Sequence, residues 1–309
     1  MRNDDKQQRW LVTGANGNLG RRLIKELLNA PEHTLRAVVR SERAAKQVLD
    51  GVSNAEQRGR LDVVTLDYTD HAALAAAVRD CTHVVHLVGI LKQTKAASYR
   101  DAHELSCAAL VQACGQSRVE HITYLSIVGS RAHSPNECLA SKGRAEDILL
   151  AGSTSACALR VPMVLGEGDY ASAALLGRAA QSRSYAFRPE SLEQPIYAGD
   201  VTAAIRQAAA LKYAGDIDLP GPESLSRRAL LQRTAKVMGG STQVTGLPLA
   251  LGVALAWLMQ TLLPNPPITT AMLGVLDHDD DLDPAPAMQA LGLTSLRSIE
   301  DTISKLLAA

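Results

Sequence analysis

The 309-residue sequence has few aromatic side chains and no excess of either charge. Phe, Tyr and Trp together make up 3% of the chain, with Phe187 as the single phenylalanine, and the formal net charge at pH 7 is zero. Proteins that bind nucleic acid usually need a positive surface or aromatic side chains on which bases stack, so we predict no nucleic-acid partner. Hydrophobic residues make up 46% of the chain, enough for the core of one large or two unequal domains.

The cysteines show neither a disulfide pattern nor a zinc pattern. Their number is odd and no two of them form a CxxC pair, so reduced thiols in a cytoplasmic compartment fit best. The histidines are scattered, and the acidic run 277–283 does not have the ligand spacing of a calcium loop, so we predict no metal site. The cysteines are Cys81, Cys107, Cys114, Cys138 and Cys157.

An export signal and a clear transmembrane segment are also lacking. The first ten residues, MRNDDKQQRW, are polar and lead directly into the first predicted strand. The stretch 247–264 is apolar almost throughout but is shorter than the roughly 20 residues that a spanning helix needs. Two interpretations stay open for 247–263: a buried helix, or a helix that contacts a membrane or a lipidic substrate. We expect a cytoplasmic protein, with peripheral contact at the inner face of the membrane as the alternative.

Strand and helix patterns alternate regularly in the first half of the chain. This alternation predicts an α/β fold with a doubly wound parallel sheet, covered by helices on both faces, that binds ligands at the carboxyl ends of its strands. After residue 162 the pattern becomes irregular and prolines cluster. We predict a Rossmann domain over 1–162 and a smaller, mainly helical cap region over 163–309, from which about 194–212 return to the first domain. Strands are predicted at 10–14, 35–39, 61–66, 83–88, 121–126 and 157–162, and helices at 18–30, 41–50, 70–79, 95–117 and 137–151.

A glycine-rich turn joins the first predicted strand to the first predicted helix. In WLVTGANGNLGRRLIKELL, residues 10–28, the glycines follow an apolar strand and open an amphipathic helix. A backbone that bends sharply and approaches a diphosphate needs glycines there, because side chains would obstruct both. The helix then offers unpaired N–H groups and a positive dipole end to the phosphates. The residues predicted to bind a dinucleotide at this turn are Gly14, Asn16, Gly17, Asn18, Leu19 and Gly20.

The end of the second predicted strand, LRAVVRSERAAK, should decide which nicotinamide cofactor is bound. About 20 residues past the glycines, a carboxylate would hold the ribose 2′-hydroxyl of NAD. Here the strand ends in Arg40, with Arg43 close behind, and a guanidinium suits the 2′-phosphate of NADP. We therefore predict NADP(H) bound by Arg40 and Arg43. The alternatives are that both arginines are ordinary solvated charges, or that Glu42 is near enough to permit NAD(H).

With these motifs in place, the sequence resembles the short-chain dehydrogenase/reductase superfamily, and within it the atypical group. The resemblance covers roughly residues 9–225. Within this group, the sequence is most similar to NmrA-like proteins and to the accessory NADPH-binding subunit of respiratory complex I, together with its bacterial relatives. The motifs that carry it include TGANGNLG, LDYTD at 66–70, HVVHLVG at 83–89, YLSIVGS at 124–130, SKGRAEDIL at 141–149, LRVPMVLGEGD at 159–169 and QPIYAGDVTAAI at 194–205.

The resemblance also implies roles for particular residues. Asp67 and Tyr68 would flank the adenine of the cofactor, and Ser126 and Lys142 align with the family's catalytic serine and lysine. Lys142 would also hydrogen-bond the nicotinamide ribose. The residues implied to border the nicotinamide side of the cofactor are Leu87, Val88, Gly89 and Pro162.

One position departs from the family pattern. Active members carry a tyrosine four residues before the lysine, as proton donor or acceptor, and here that position holds Cys138. A thiol one helical turn from Lys142 shares its face, so the ammonium would lower the thiol pKa and make Cys138 a candidate catalytic residue. The alternatives are a small packing residue at a lost site and a redox-sensing thiol.

Two classes of function follow from these observations. The first is an NADP(H)-dependent oxidoreductase that acts on an apolar carbonyl, alkene or quinone-like substrate. The alternative is an NADP(H)-binding protein without turnover, either a redox-responsive regulator or an assembly subunit of a larger complex, and the missing tyrosine favours it directly. Epimerase chemistry is a weaker third, because those relatives depend on the same tyrosine. The sequence does not predict an oligomeric state.

Overall fold

The structure is a computed structural model that describes residues 8–94, 97–263, 269–275 and 279–308. The expectation about the first residues, and part of the acidic run at 277–283, therefore lie outside the described residues. The strands are β1 Gln8–Thr13, β2 His33–Val39, β3 Leu61–Thr65, β4 His83–His86, β5 His121–Ile127, β6 Ser155–Val161, β7 Val164–Leu165, β8 Arg183–Phe187, β9 Leu192–Glu193, β10 Ile196–Tyr197, β11 Gly215–Asp218, β12 Leu225–Ser226 and β13 Gln243–Leu247.

Helices connect these strands, and a π-helical segment, Arg100–Leu105, leads directly into one of them. The helices are α1 Asn18–Leu28, α2 Glu42–Asp50, α3 Ala55–Gly59, α4 His71–Val78, α5 Ser106–Cys114, α6 Glu137–Leu150, α7 Tyr170–Ala179, α8 Ala198–Leu211, α9 Arg227–Val237, α10 Leu249–Leu262, α11 Thr270–Val275, α12 Ala285–Ala290 and α13 Ile299–Leu307.

A seven-stranded parallel sheet with the order β11-β6-β5-β4-β1-β2-β3 forms the centre of the molecule. Successive residues of a strand point to opposite faces, and Leu11 and Val12 of β1 accordingly belong to two different core clusters. Helices α1 and α8 pack on the face of Val12, and α4, α5 and α6 pack on the face of Leu11. The predicted doubly wound parallel sheet is confirmed.

The last strand of this sheet comes from late in the chain. Strand β11 pairs with β6 from Gly215↔Cys157 to Asp218↔Arg160, beyond the segment 194–212 that the sequence analysis returned to the first domain. The rest of the C-terminal half has its own core, in which α7, α9 and α13 pack around β8 and β13. It lies beyond the carboxyl end of β6, where the site is expected.

Helix α10 forms within the predicted stretch, but the interpretation that it is a buried core helix is wrong. Gly252 and Ala256 are buried, and a Cβ on Gly252 would lie 2.9 Å from the ring of Phe187. Trp257 is 63% exposed and Leu262 is 70% exposed. Within the described part of the chain, no helix is long and apolar enough to cross a membrane.

Candidate functional site

The glycine turn has the geometry that a close backbone approach requires. Gly14 has φ +64°, a left-handed conformation, and a Cβ on it would lie 3.1 Å from the carbonyl of Leu87. A Cβ on Gly17 would lie 3.1 Å from the carbonyl oxygen of Gly14, and one on Gly20 would come within 2.7 Å of the same atom. The turn therefore holds its shape only without side chains, and its open side is a cradle of backbone atoms.

The start of α1 lacks the side-chain cap that several other helices carry. Gly17 is its N-cap residue and supplies no side-chain hydrogen bond, so the first N–H groups of the helix receive no partner from a capping side chain. An anion suits this position because the helix dipole is positive there, and a dinucleotide diphosphate fits the cradle. The helices with side-chain caps are α2, α3, α4, α6, α7, α9 and α13, capped by Ser41, Asn54, Asp70, Asn136, Asp169, Ser226 and Ser298.

The other predicted residues of the turn have different surroundings. The side-chain amide of Asn16 lies 3.4 Å from the amide oxygen of Gln47 on α2. Asn18 donates to the backbone carbonyl of Glu167 at 2.9 Å, which ties the loop after β7 to the start of α1. Leu19 packs against the core. These three side chains are thus held by contacts with α2, with the loop after β7 and with the core.

A cavity of about 300 Å³ lies at the carboxyl ends of β2, β3 and β4, beside the turn. Arg40 is exposed at its rim, and no ion pair of Arg40 is found among the described side chains. Asp67 accepts hydrogen bonds from the backbone N–H and the hydroxyl of Thr69, both at 2.9 Å, and these bonds lower the pKa of its carboxyl. Arg43 is exposed in the first turn of α2. The cavity is lined by Arg40, Asp67, Tyr68, Thr69, Val88, Ala97, Asp101 and Ala102.

The segment after β4 lies between this cavity and Lys142. Leu87 packs against the core, Val88 lines the cavity and Gly89 is exposed. A Cβ on Gly89 would lie 2.9 Å from the Lys142 Nζ, so the segment also contacts the aligned lysine. Pro162 follows β6 at the same edge of the sheet and is partly buried.

Ser126, the aligned serine, is buried and uses its hydroxyl inside the protein. The hydroxyl donates to the carboxylate of Glu146 and lies 3.3 Å from the hydroxyl of Ser130. Glu146 forms an ion pair with Arg160 at 2.5 Å, and Arg160 also pairs with Asp216 of β11 at 2.6 Å. Ser126 thus belongs to a buried polar network. The sequence analysis missed Glu146, although it lies four residues after Lys142 on the predicted helix.

Lys142, the aligned lysine, is 5% exposed and lies behind the site rather than in an open cavity. Its ammonium donates to the carbonyl of Leu125 at 2.8 Å and lies 4.4 Å from the ring centre of Tyr124. Burial lowers the pKa of Lys142 from 10.5 to about 8. These internal contacts hold the ammonium in place. The predicted contact of Lys142 with the nicotinamide ribose stays a prediction.

Cys138 is fully buried, and its surroundings contradict the hypothesis of an activated thiol. The thiol donates to the carbonyl of Ile90 at 3.6 Å and packs against Tyr99 and Leu139. Burial raises the pKa of the Cys138 thiol and outweighs the nearby Lys142 ammonium, which lowers it. A buried thiol with a raised pKa is a poor nucleophile and a poor redox sensor.

The loop 89–94 covers this thiol and is held down at several points. The Tyr99 hydroxyl donates to the carbonyl of Leu91 at 2.9 Å, and the Ile90 N–H donates to the Nε2 of His103 at 3.1 Å. The π-helical segment that carries His103 begins next to Tyr99, and such segments are frequent at functional sites. None of these loop contacts was evident from the sequence, because they join residues up to 48 positions apart.

The remaining thiols are buried as well, and two histidines are enclosed near the site. Burial raises the pKa of Cys81 to about 11 and the pKa values of Cys107, Cys114 and Cys157 to about 12. His86 contacts the hydroxyls of Thr13 at 2.8 Å and Ser106 at 3.2 Å, and burial lowers the pKa values of His86 and His103 to about 3. In the described residues, His, Cys, Asp and Glu form no cluster of three that could hold a metal ion.

The fold and this edge of the sheet define a dinucleotide-binding α/β protein. Residues 14–174, just over half of the chain, match a family described as NAD(P)H-binding. The chain therefore belongs to this NAD(P)H-binding family. Its motifs resemble those of the atypical, NmrA-like short-chain dehydrogenases/reductases, which agrees with this membership.

Two known proteins are similar to this chain in sequence. The chain is 25% identical over 257 residues to NADH dehydrogenase [ubiquinone] 1 alpha subcomplex subunit 9, mitochondrial, of Arabidopsis thaliana, covering 79% of this chain and 61% of that protein. It is 27% identical over 171 residues to ceramide reductase of Caulobacter vibrioides, covering 55% of this chain and 51% of that protein. The chain thus spans about half to three fifths of the length of these relatives.

Solved structures share the fold over nearly the whole chain. The crystal structure of gox2253 has a TM-score of 0.73 at 19% identity and covers 97% of both chains. The UDP-glucuronic acid 4-epimerase of Bacillus cereus, solved in complex with NAD, has a TM-score of 0.72 at 16% identity and covers 96% of both. At these identities the likeness shows the fold alone.

Proposed function

We propose that this chain binds NADP(H), with the diphosphate at the start of α1 and the 2′-phosphate at Arg40. The glycine cradle and the uncapped helix support the first contact. The exposed guanidinium at the rim of the cavity supports the second, because it can bind a phosphate with two parallel hydrogen bonds.

We propose further that the chain holds this cofactor without the acid–base step of active family members. A bound nicotinamide would donate or accept a hydride, and a protein group must then move the matching proton. The observation that carries the proposal is that each aligned group is buried and donates a hydrogen bond inside the protein. Ser126 donates to Glu146, Lys142 to Leu125 and Cys138 to Ile90.

The role that suits such a protein is that of a cofactor-binding subunit of a larger assembly. One relative is named as a subunit of NADH dehydrogenase. A sensor that works through thiol oxidation is less well supported, because all five cysteines are buried. A bound NADP(H) would then stabilise the fold by mass action.

Thermal stability and turnover, measured on the same protein, test this proposal. We expect NADPH to raise Tm, since a ligand at 100 times its Kd stabilises a fold by about 2.7 kcal/mol. We expect no NADPH oxidation above background with a panel of aldehydes, ketones and quinones. Turnover by the wild type that is lost in Cys138→Ser or Lys142→Met would contradict the proposal.

A second candidate is an NADP(H)-dependent reductase of an apolar carbonyl or quinone-like substrate, with helix α10 as the element that contacts the lipid phase. The observation that favours it is the exposed apolar surface of α10, which includes Trp257 and Leu262. The stretch 237–276 contains no Asp, Glu, Lys, Arg or His, so no charge opposes its contact with acyl chains. A relative is named as ceramide reductase, which fits a lipidic substrate.

The fluorescence of Trp257 tests this second candidate. Trp10 is buried, so a change in tryptophan emission on adding phosphatidylcholine:phosphatidylglycerol vesicles reports Trp257. Contact predicts a blue shift that is lost in a Leu258→Ser, Leu262→Ser variant, and NADPH oxidation when the vesicles carry a long-chain keto-lipid. An unchanged spectrum and no oxidation would remove the candidate.

A further inference from the structure

The glycine turn rests on one buried phenol. Tyr68 follows β3 and is 6% exposed, and its hydroxyl accepts a hydrogen bond from the Gly14 N–H at 3.1 Å. Gly14 is the residue that takes the left-handed conformation at the start of the turn. A side chain 54 positions away in sequence thus supports the backbone at the point where the turn begins.

The same hydroxyl also connects the turn to the end of β2. It donates to the carbonyl of Val38 at 3.0 Å, and that carbonyl also lies 3.4 Å from the Ala15 nitrogen, which donates to it. Gly14, Ala15 and Val38 are therefore joined through one oxygen atom and one carbonyl. This small network extends the pairing of β1 with β2 beyond its last partners, Thr13 and Val38.

The ring of Tyr68 contacts the other half of the predicted cofactor site. The Arg40 guanidinium lies over this ring, 5.9 Å from its centre, and both residues line the cavity. A cation over an aromatic face is held electrostatically, so the ring limits the directions in which Arg40 can point. The predicted contact of Tyr68 with the adenine stays a prediction. The structure places the Tyr68 hydroxyl beside the Gly14 N–H and its ring beneath the Arg40 guanidinium.

From this geometry we infer that Tyr68 is a positioning residue, which sets the diphosphate turn through its hydroxyl and the 2′-phosphate ligand Arg40 through its ring. The inference rests on the proposed NADP(H) site. It separates two effects that a single substitution would mix. Removing the hydroxyl should weaken binding of the diphosphate, which NADPH and NADH share. Removing the ring should also weaken binding of the 2′-phosphate, which only NADPH carries.

Two variants of Tyr68 test these effects. Tyr68→Phe keeps the ring, and we expect it to weaken the binding of both NADPH and NADH about fivefold, the value of one ordinary hydrogen bond. Tyr68→Leu also removes the ring, and we expect the preference for NADPH over NADH to fall by about a further threefold. In an Arg40→Ala background, Tyr68→Leu should leave that preference unchanged, because the ring then has no guanidinium to orient.

A readout without cofactor comes from the exchange of the Gly14 amide proton, measured by NMR. We expect faster exchange in Tyr68→Phe than in the wild type. Thr234→Val is the matched control, because it removes a buried hydroxyl that donates to the Leu230 carbonyl at 2.7 Å in α9, far from the turn in the fold. This control should lose comparable stability and leave both the cofactor affinities and the Gly14 exchange unchanged.

The outcomes separate the inference from the proposed function. Wild-type protein that binds neither cofactor would overturn the NADP(H) site and the inference with it. Binding by the wild type that is equally strong in Tyr68→Phe would overturn the inference alone, and so would equal weakening by Thr234→Val, which would reduce the effect to stability. Unchanged Gly14 exchange in Tyr68→Phe would also overturn it.

Discussion

At the scale of single residues, Arg40 is the side chain that we propose distinguishes the two nicotinamide cofactors. We expect Arg40→Ala to weaken NADPH binding about 10- to 100-fold, because charge-assisted hydrogen bonds contribute about 1.5–3 kcal/mol. NADH has no 2′-phosphate, so its affinity should stay within about twofold. Titration calorimetry with both cofactors measures this, with the exposed Arg79→Ala as control. Equal weakening of both cofactors would contradict the role assigned to Arg40.

A second prediction at this scale concerns the pH dependence that Lys142 causes. Its pKa is about 8 in the folded chain and 10.5 when unperturbed, so between these values the unfolded chain holds one more proton. The free energy of unfolding therefore rises with pH across this window, by about 1.4 kcal/mol per pH unit from this group. The cost of burying the charge is present in full below pH 8.

Lys142→Met should remove this dependence. We expect the stability of the variant relative to the wild type to fall steadily from pH 8 to pH 10 in urea unfolding, because the wild type regains what burial of the charge had cost. The exposed Lys236→Met is the control and should show a constant difference. A constant difference in Lys142→Met as well would show that the ammonium is solvated.

The aligned residues show which features of single residues could be predicted from the sequence. The sequence itself shows Cys138 in place of the tyrosine, and a small packing residue was one of the alternatives. The prediction that Lys142 would lower the pKa of the thiol was wrong, because burial raises it. Helix spacing placed Lys142 beside it, whereas the loop 89–94 that buries it is defined only by the tertiary fold. The partner of Ser126 was missed for the same reason, since Glu146 reaches it only when α6 packs on β5.

At the scale of elements, the strand–turn–helix unit at residues 8–28 is the part of the site that the sequence predicts best. Its signals are local: an apolar strand, three glycines and an amphipathic helix. The bounds of α1, Asn18–Leu28, lie within two residues of the predicted 18–30. The burial of α10 was not predictable in the same way, because an apolar run does not reveal whether anything packs around it.

Gly20→Ala tests the turn as an element. The added Cβ would lie 2.7 Å from the Gly14 oxygen and 2.9 Å from the Ala15 Cα, so the start of α1 must shift. We expect a loss of about 1–3 kcal/mol in stability, typical of overpacking, and a loss of cofactor binding. Gly177→Ala in α7 is the control, because no atom lies within 4 Å of its Cβ, and it should gain about 0.5–1 kcal/mol. Tight NADPH binding by Gly20→Ala would refute the cradle.

At the scale of the whole molecule, the parallel sheet and its helices were predictable because strand and helix periods alternate along the chain. The position of β11 at the edge of the sheet was not, since a four-residue strand, Gly215–Asp218, carries little pattern of its own. Its place beside β6 is also tied to the site, because Asp216 pairs with Arg160 and Arg160 with Glu146. The C-terminal half thus contributes to the network that holds Ser126.

Enclosed histidines predict how the whole fold responds to acid. Burial lowers the pKa values of His86 and His103 from 6.5 to about 3, so below pH 6.5 the unfolded chain binds protons that the folded chain does not. Stability is therefore lost as pH falls from 6.5 toward 3, by about 1.4 kcal/mol per pH unit for each histidine. Between pH 4 and 6, His103→Gln should reduce the slope of the unfolding free energy against pH by about 1.4 kcal/mol per pH unit, the value for one proton.

His133 is exposed, and the His133→Gln variant is the control, which should show the same slope as the wild type. Urea unfolding at several pH values gives both slopes. If His103→Gln had the same slope as the wild type, His103 would be titrating normally in the folded chain, and the buried polar arrangement beside the loop 89–94 would be incorrect.

Calorimetric titration of the wild-type protein with NADPH, and separately with NADH, tests the central claim most directly. The predicted result is saturable binding of both cofactors, with NADPH bound about 10- to 100-fold more tightly through the extra contact at Arg40. The absence of measurable binding of either dinucleotide would contradict the assignment of the glycine cradle and of everything built around it.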